Sequence, residues 1–528
     1  MRCHFYLSSI ILLLSFSIKA QQYCWILPDS TIQFPNGIIQ ELPVFALPNG
    51  GLIQTKIQNQ FFNYNQNTYS EVEIQQVSTN GELVWNYILG DSVCVRDIVV
   101  DDSGRVYLGG LFMNSLSSDG HEPTQNTSQD IFGTNMFLIR LSSSGEFEWI
   151  RNVSLGLSGF NNELLDDLSI DHLNRCWYSY STFDKIQVRR LSESGTDVQL
   201  HILDGGLITG DMDFDNTGNL YLTGAIGSGS MTVNSSSFIA PYSYNYFVTK
   251  ISPTGTCNWI NFYEDITFQT PSLRVDSDGD PVFVAYLFDT TSFGNFTLSP
   301  SSFGGDFALV KLNTNGDVIW ARDIPEQSDF GDFMLLNRHS LDIDETGKTW
   351  IGGTFRGNLS FENSIQLSSG DITNYNLSFL QFLPNGTLNR AIQGGGNAYD
   401  YTCGLSVSLS GDLYFSGIFQ DTAQFGSIEI NGSEQFSPFI GKWSADPFAG
   451  IEDIDLHWKI APNPSNGLLS IQGNEIDLLY VLDIQGRILH TSKEEQNLDF
   501  SCLPAGIYFL KLVNGNTSRT IPWIKTNF

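Results

Sequence analysis

The residues of this chain whose spacing invites a chemical reading are carboxylates. Asp276, Asp278 and Asp280 alternate in DSDGD, an oxygen-rich run of the kind that wraps calcium. An EF-hand loop, however, places its glycine sixth and a bidentate Glu twelfth, whereas Gly279 is fourth and no Glu follows in place. A hairpin turn is therefore the favoured reading. Asp97, Asp167 and Asp211 form a second pattern, each standing directly before an apolar stretch, with Ser272, Ser340 and Gly404 in the corresponding places elsewhere. Other chemistries lack their residues. A serine nucleophile wants a GxSxG elbow, which is absent. The histidines at 4, 121, 172, 201, 339, 457 and 490 are dispersed, and His121-Glu122 has no second His four residues along. No Walker loop or GxGxxG occurs. No catalytic residue, metal ligand or cofactor is assigned from these patterns.

The elements that would position such groups follow from composition and repetition. Against 57 Asp+Glu stand 26 Lys+Arg, a net charge of −31 that disfavours nucleic acid as a partner. With 41% hydrophobic and 13% aromatic residues the chain can bury a core, and 49 Gly punctuate it with turns. One segment type recurs: a strand, a turn with Asp, Asn or Gly, then a strand rich in aromatics and Gly. It reads IVVDDSGRVYLGGLF at 98–112, LSIDHLNRCWYSYSTF at 168–183, MDFDNTGNLYLTGAI at 212–226 and LRVDSDGDPVFVAYLF at 273–288. It continues as LDIDETGKTWIGGTF at 341–355 and LSVSLSGDLYFSGIF at 405–419, with a degenerate first copy, VFALPNGGLIQTKI, at 44–57. From Gly50 to Gly411 these seven copies recur about every 60 residues.

A second hairpin lies between successive copies and often ends in Trp four residues after its turn Gly: Gly81 and Trp85, Gly145 and Trp149, Gly255 and Trp259, Gly316 and Trp320. Weaker copies surround Gly195 and Gly386. Each unit is thus two hairpins, four antiparallel strands, and period-two alternation favours strands over helices. Four-stranded units repeated around an axis make a β-propeller, which protects strand edges by stacking sheet on sheet. The expected fold is all-β, a seven-bladed β-propeller followed by a small C-terminal β-sandwich. The last copy, FIGKW at 439–443, has no Trp-bearing strand after it, while YCWIL at 23–27 resembles TCNWI at 256–260. The strand at 23–27 is expected to complete the last blade.

In a propeller the innermost strands line a channel, so Asp97, Asp167 and Asp211 could ring a cation there. Hydrogen bonding of these acids to amides between blades is the favoured alternative. Tyr242, Tyr244 and Tyr246 could stack on sugars, but they alternate as strand residues do, and core packing accounts for them equally.

The repeats resemble the bacterial beta-propeller repeat family, whose members run strand, Lys, Leu, turn Gly, Trp, then acidic strand, turn Gly, Tyr and Gly. The likeness covers most of residues 40–445, is clearest at 307–355 and is weakest at 160–204, where Asn174 replaces the turn Gly. It implies a fold and no particular function. DETGKTW at 344–350 is similar to the Asp box of sialidase propellers. Its Asp stands three residues before the Gly rather than two, only one copy exists, and Arg residues for a substrate carboxylate are few.

Both termini read as addresses. Arg2, the apolar run LSSIILLLSFSI at 7–18, then Lys19 and Ala20 match a secretory signal peptide cleaved after Ala20. The run is too short to span a bilayer, which takes roughly 20 residues, and no later stretch is long enough, so no transmembrane segment is expected in the mature chain. Cys24, Cys94, Cys176, Cys257, Cys403 and Cys502 would remain after cleavage. None is spaced as CxxC, and most sit in strand-like runs as small buried hydrophobes.

Past Pro447 the repeat stops. An acidic stretch at 450–458 reads as a linker, and 459–528 alternates apolar residues around Asn-Gly and Gln-Gly turns. This segment opens with Pro462-Asn463-Pro464 and Gly467. It continues with a turn of Asp483, Gly486 and Arg487, a strand entry carrying Gly506 and Tyr508, and a basic Lys525 near the end. In that order the elements resemble the type A C-terminal sorting domain of the Bacteroidetes type IX secretion system. The resemblance implies periplasmic transit, partnership with the type IX machinery, and release or attachment at the outer-membrane surface.

The expected organisation is a signal peptide at 1–20, the propeller at 21–449, a linker at 450–458 and the sorting domain at 459–528. The favoured function is a non-enzymatic scaffold that binds an extracellular protein or glycan. The alternative is a carbohydrate-active enzyme with carboxylates at the channel mouth, which must stand about 5 Å apart for retention or 6.5–9.5 Å for inversion. A passive envelope role with no ligand is a third possibility.

Overall fold

A computed structural model describes residues 22–29, 42–445 and 459–526, apart from 65–66, 119–120, 126–133, 154–163, 183, 265–270, 288, 301–305, 326, 337, 473–476, 484–486, 494–496 and 515–516. The signal segment at 1–20, the acidic stretch at 450–458 and Gly486 lie outside the described residues. The chain divides into two compact units, Met1–Pro447 and Phe448–Phe528. Both are built of antiparallel strands. Among the described residues the only helical element is a single 3₁₀ turn, Glu362–Ser364.

In the first unit one turn explains most of the repeating geometry. In five of the copies an Asp accepts, through Oδ1, the backbone N–H groups two and four residues ahead, and in the last copy Ser408 Oγ accepts the N–H of Asp412. Asp101 takes Ser103 and Arg105, Asp171 takes Leu173 and Arg175, and Asp215 takes Thr217 and Asn219. Asp276 takes Asp278 and Asp280, and Asp344 takes Thr346 and Lys348. The side chain replaces water at amides that the tight turn leaves unpaired, the ordinary reason Asp opens turns. The residue three along then adopts a positive φ, +79° at Gly104 and +57° at Asn174. Asn is the non-glycine residue that best tolerates that region, so the substitution leaves the turn intact.

The hairpins assemble in pairs, four strands to a group. One runs Ser272–Val275, Pro281–Leu287, Asp306–Leu312 and Val318–Ile324 in spatial order. Elsewhere a long strand joins one group to the next: Leu83–Val100 pairs with Asn67–Val77 through its first half and with Val106–Phe112 through its second. Strands covered on both faces carry unbroken apolar runs, as in Val106–Phe112, where every residue is buried. More outward strands alternate, as in Asp197–Asp204.

The core lies between sheet faces. Val99, Tyr107 and Leu138 of one group pack with Leu165, Leu168 and Tyr178 of the next, and Val44, Ala46 and Leu52 pack with Tyr414 and Ile440 from the far end of the unit. The first strands of the groups touch in sequence. Val44–Ala46 packs on Leu83–Val100, followed by Leu164–Ile170, Ile208–Phe214, Ser272–Val275, Leu341–Ile343 and Tyr401–Val407, which returns to Val44–Ala46. The strand Gln22–Pro28 pairs antiparallel with Ser437–Ser444, Trp25 opposite Lys442.

A second repeated contact links outer strands. A Cβ added to Gly145 would fall 2.5 Å from the ring of Trp85; at Gly195, Gly316 and Gly386 the corresponding rings are those of Trp149, Trp259 and Trp320. The six cysteines Cys24, Cys94, Cys176, Cys257, Cys403 and Cys502 are all unbridged.

The second unit has two antiparallel sheets. One orders Lys459–Ala461, Leu468–Gln472 and Asn497–Asp499; the other orders Ile488–Ser492, Leu478–Leu482, Gly506–Asn514 and Thr517–Lys525. Leu469, Ile471 and Leu498 of the first share a core with Leu479, Leu510 and Trp523 of the second.

Candidate functional site

Asp97, Asp167 and Asp211 lie within their first strands rather than before them, and each bonds to the first strand of the next group. Asp97 Oδ2 accepts the Leu168 N–H at 2.7 Å, Asp167 Oδ2 that of Met212 at 2.7 Å, and Asp211 Oδ2 that of Leu273 at 3.1 Å. Ser272 Oγ accepts the Ser340 N–H at 2.9 Å in the same manner. A parallel tier lies two residues on, where Asp213 accepts from Val275, Asp342 from Val407 and Ser406 from Ala46. These bonds tie successive groups together around a buried hub, and a buried amide left without them would cost about 1–3 kcal/mol.

The second carboxylate oxygens converge on one histidine. His339 Nε2 lies 3.3 Å from Asp97 Oδ1 and 3.6 Å from Asp167 Oδ1, while its Nδ1 lies 3.7 Å from Asp211 Oδ1. Arg274 Nη1 donates to both oxygens of Asp211, at 2.8 and 2.9 Å, and Arg274 Nη2 stands 3.4 Å from His339 Nδ1. Its Nε faces Asp342 at 3.6 Å. Burial opposes charge at Asp167, Asp211, Arg274 and His339. At Asp211 the neighbouring Arg274 and His339 outweigh it and hold the carboxyl well below its ordinary range. At Asp167 burial dominates, reinforced by the charges of Asp211 and Asp97, and its affinity for a proton rises steeply. His339 is pushed up, because Asp97 and Asp211 outweigh the burial that would lower it. A cavity of about 330 Å³ opens beside the cluster, lined among others by Arg96, Asp97, Arg274, Arg338, His339 and Asp342.

Sequence reasoning placed Asp97, Asp167 and Asp211 together but missed His339 and Arg274. Arg274 had a signal. Aligning the first strands puts Arg274 in the column of Ser169, Asp213, Asp342 and Ser406, the second tier of the hub. His339 had none, since the residues directly before the column of Asp97, Asp167 and Asp211, namely Arg96, Asp166, Gly210, Pro271, His339 and Cys403, share no type.

Asp276 of DSDGD spends Oδ1 on its own turn and Oδ2 on Lys311 Nζ at 2.6 Å. Asp344 of DETGKTW makes the same turn. Along Ser236–Ile251, Tyr246 is buried while Tyr242 and Tyr244 are exposed.

In the second unit the motif residues are mostly structural contacts. Asn463 Oδ1 accepts the Ile524 N–H at 3.0 Å, between the exposed Pro462 and Pro464. Gly467 has φ +114° and no room for a side chain, with Ser501 Cα 2.6 Å from where a Cβ would be. Arg487 Nε donates to Asp483 Oδ2 at 2.7 Å across the turn. Gly506 pairs with the buried Lys525, and the Tyr508 hydroxyl donates to the Pro504 carbonyl at 2.9 Å.

By fold the chain is an all-β protein of repeated antiparallel hairpins with a separate β-rich tail. Residues 459–526 match the model of the family described as the secretion system C-terminal sorting domain, in agreement with the type IX motif order. No curated protein sequence matches the chain. Among solved structures it is similar to a fungal alcohol oxidase in complex with copper, at 10% identity and TM-score 0.40 over 96% of this chain and 99% of that one. A protein from Lactobacillus plantarum is similar at 11% identity and TM-score 0.39, over 70% and 94% of the two chains. Virginiamycin B lyase from Staphylococcus aureus is similar at 13% identity and TM-score 0.32, over 60% and 93%.

Proposed function

We propose that this protein is a passenger of the type IX secretion system of a Bacteroidetes-type bacterium, delivered to the cell surface or the medium as a rigid, non-enzymatic scaffold that binds proteins or glycans. The observation that carries the reading is the sorting-domain match over residues 459–526. A sorting domain of this family implies export, and no helix among the described residues is long and apolar enough to cross a membrane. We assign a signal peptide to 1–20, a seven-bladed propeller to 21–449, a linker to 450–458 and a sorting β-sandwich to 459–528. The closed order of first strands supports the count of blades. The pairing of Gln22–Pro28 with Ser437–Ser444 supports closure of the last blade by the amino-terminal strand. Hub hydrogen bonds would hold such a ring stiff and leave its loops to present a binding surface.

A second reading, a carbohydrate-active enzyme, is favoured by the convergence of Asp97 and Asp167 beside a cavity. Against it, each spends one oxygen on a backbone amide, and Asp167 has no exposed side-chain surface to meet a glycosidic oxygen. Removing residues 459–528 is expected to leave a folded first unit retained in the periplasm. Efficient surface delivery of that truncation refutes the export assignment. A glycan array probed with the mature chain, read for binding and for cleavage, separates scaffold from enzyme.

A further inference from the structure

The hub acids are not equivalent. Asp211 has both oxygens occupied by Arg274. Asp97 and Asp167 each give Oδ2 to a backbone amide and face His339 with Oδ1, though Asp97 Oδ1 also accepts the N–H of Ile98 at 2.7 Å. Asp167 Oδ1 is fully buried with no hydrogen-bond donor, and His339 Nε2, aimed at the same point, is likewise without a hydrogen-bond partner. At 3.6 Å the two atoms stand beyond hydrogen-bond reach, a gap that either an imidazolium charge or an ion beside them would satisfy.

The spacing points to the ion. Ligands held at 2.0–2.1 Å around a tetrahedral ion stand about 3.3–3.4 Å apart. The two nitrogen-to-oxygen separations here are 3.3 and 3.6 Å, and one ligand atom from each of the three residues lies within 4.8 Å of the others. One imidazole with two carboxylates is a donor set for a first-row divalent ion rather than for calcium or magnesium. The supports are in place as well. The amides of Leu168 and Met212 fix the two carboxylates, and on its far side His339 Nδ1 stands 3.7 Å from Asp211 and 3.4 Å from Arg274 Nη2, neighbours that orient the ring.

We propose that Asp97 Oδ1, Asp167 Oδ1 and His339 Nε2 bind a divalent transition cation of the zinc class. Because Asp97 and His339 line the axial cavity, the fourth position opens onto it, as in sites that keep a place for water or an oxygen ligand.

The test is calorimetric titration of the chelator-stripped full chain with Zn²⁺ alone, and with Mn²⁺ followed by electron paramagnetic resonance. One equivalent should bind and raise the melting temperature. Asp167→Asn and His339→Asn should each weaken binding at least tenfold, whereas Asp344→Asn, in a hairpin turn, should not. His339 has φ +46°, a region Asn tolerates, so His339→Asn keeps the backbone and decides the matter even if Asp167→Asn fails to fold. Absence of a bound equivalent, or unchanged binding in a folded His339→Asn chain, overturns the proposal in favour of an imidazolium shared by the two carboxylates.

Discussion

The indole of Trp25 covers Gly81, where an added Cβ would lie 3.4 Å from the ring, and its Nε1 donates to the Thr79 carbonyl at 2.9 Å. Trp259 bears the same relation to Gly316 and the Thr314 carbonyl, and Trp320 to Gly386 and the Pro384 carbonyl. A strand from the amino terminus thus makes, in the same register, the contact that internal strands make elsewhere. Truncating Trp25→Ala removes a half-buried ring and its hydrogen bond, and should cost roughly 2 kcal/mol, below the 3–5 of a fully buried Trp. Trp25→Phe should recover most of it. Denaturant unfolding of the full chain measures both, and an unchanged midpoint for Trp25→Ala would show that this contact does not hold Gln22–Pro28 against the rest of the unit.

The turn positions should separate backbone from packing effects. Gly145 has φ +84° and would drive a Cβ to 2.5 Å from Trp85, so Gly145→Ala combines strain with a clash and should destabilise by about 2–3 kcal/mol. Asn174, at φ +57°, already tolerates its conformation. Asn174→Gly should fall within about 1 kcal/mol of the native chain, losing chiefly the bond its Oδ1 accepts from the Asp102 amide. Equal costs for the two substitutions in thermal unfolding would contradict this account.

Repetition made the strands, the turns and the Trp contacts legible, because each recurs with the same spacing and the same local cause. The hub was half legible. Asp97, Asp167 and Asp211 share a column, and a column predicts a ring; the Oδ2 bonds to Leu168, Met212 and Leu273 are what identical neighbours can supply. What makes the hub asymmetric is unrepeated. Arg274 neutralises one acid, and His339 reaches the other two from the break between Gln327–Leu335 and Leu341–Ile343, a position whose residue type no other copy shares. Long-range contacts made by single residues leave no trace in a spacing.

His201 should make stability acid-sensitive. It stacks on Trp177, centroids 5.6 Å apart and planes at 5°, and burial lowers it from 6.5 to about 4. In the unfolded chain it takes up a proton as the pH falls through 6.5; folded, it resists until about 4. The unfolded state therefore binds more protons across that window, and stability falls as pH drops from 6.5 toward 4, by on the order of 3 kcal/mol at the lower end. His201→Phe keeps the stacked ring without the proton site. Unfolding free energies measured from pH 7 to 4.5 should fall less steeply in the variant, and parallel slopes would exclude His201 as the cause.

Lys311 and Asp276 form an ion pair of 2.6 Å with both side chains almost wholly buried. Such a pair adds little over apolar packing, but a buried charge stranded without its partner is costly, commonly 3–5 kcal/mol. Lys311→Met should therefore destabilise by about 3 kcal/mol. Adding Asp276→Asn removes the stranded charge while its side-chain oxygen can still accept the amides of Asp278 and Asp280, so the double variant should be more stable than Lys311→Met alone. A double variant no more stable than the single one, by urea unfolding at neutral pH, would mean that Asp276 serves its turn alone and that the charge of Lys311 is incidental to it.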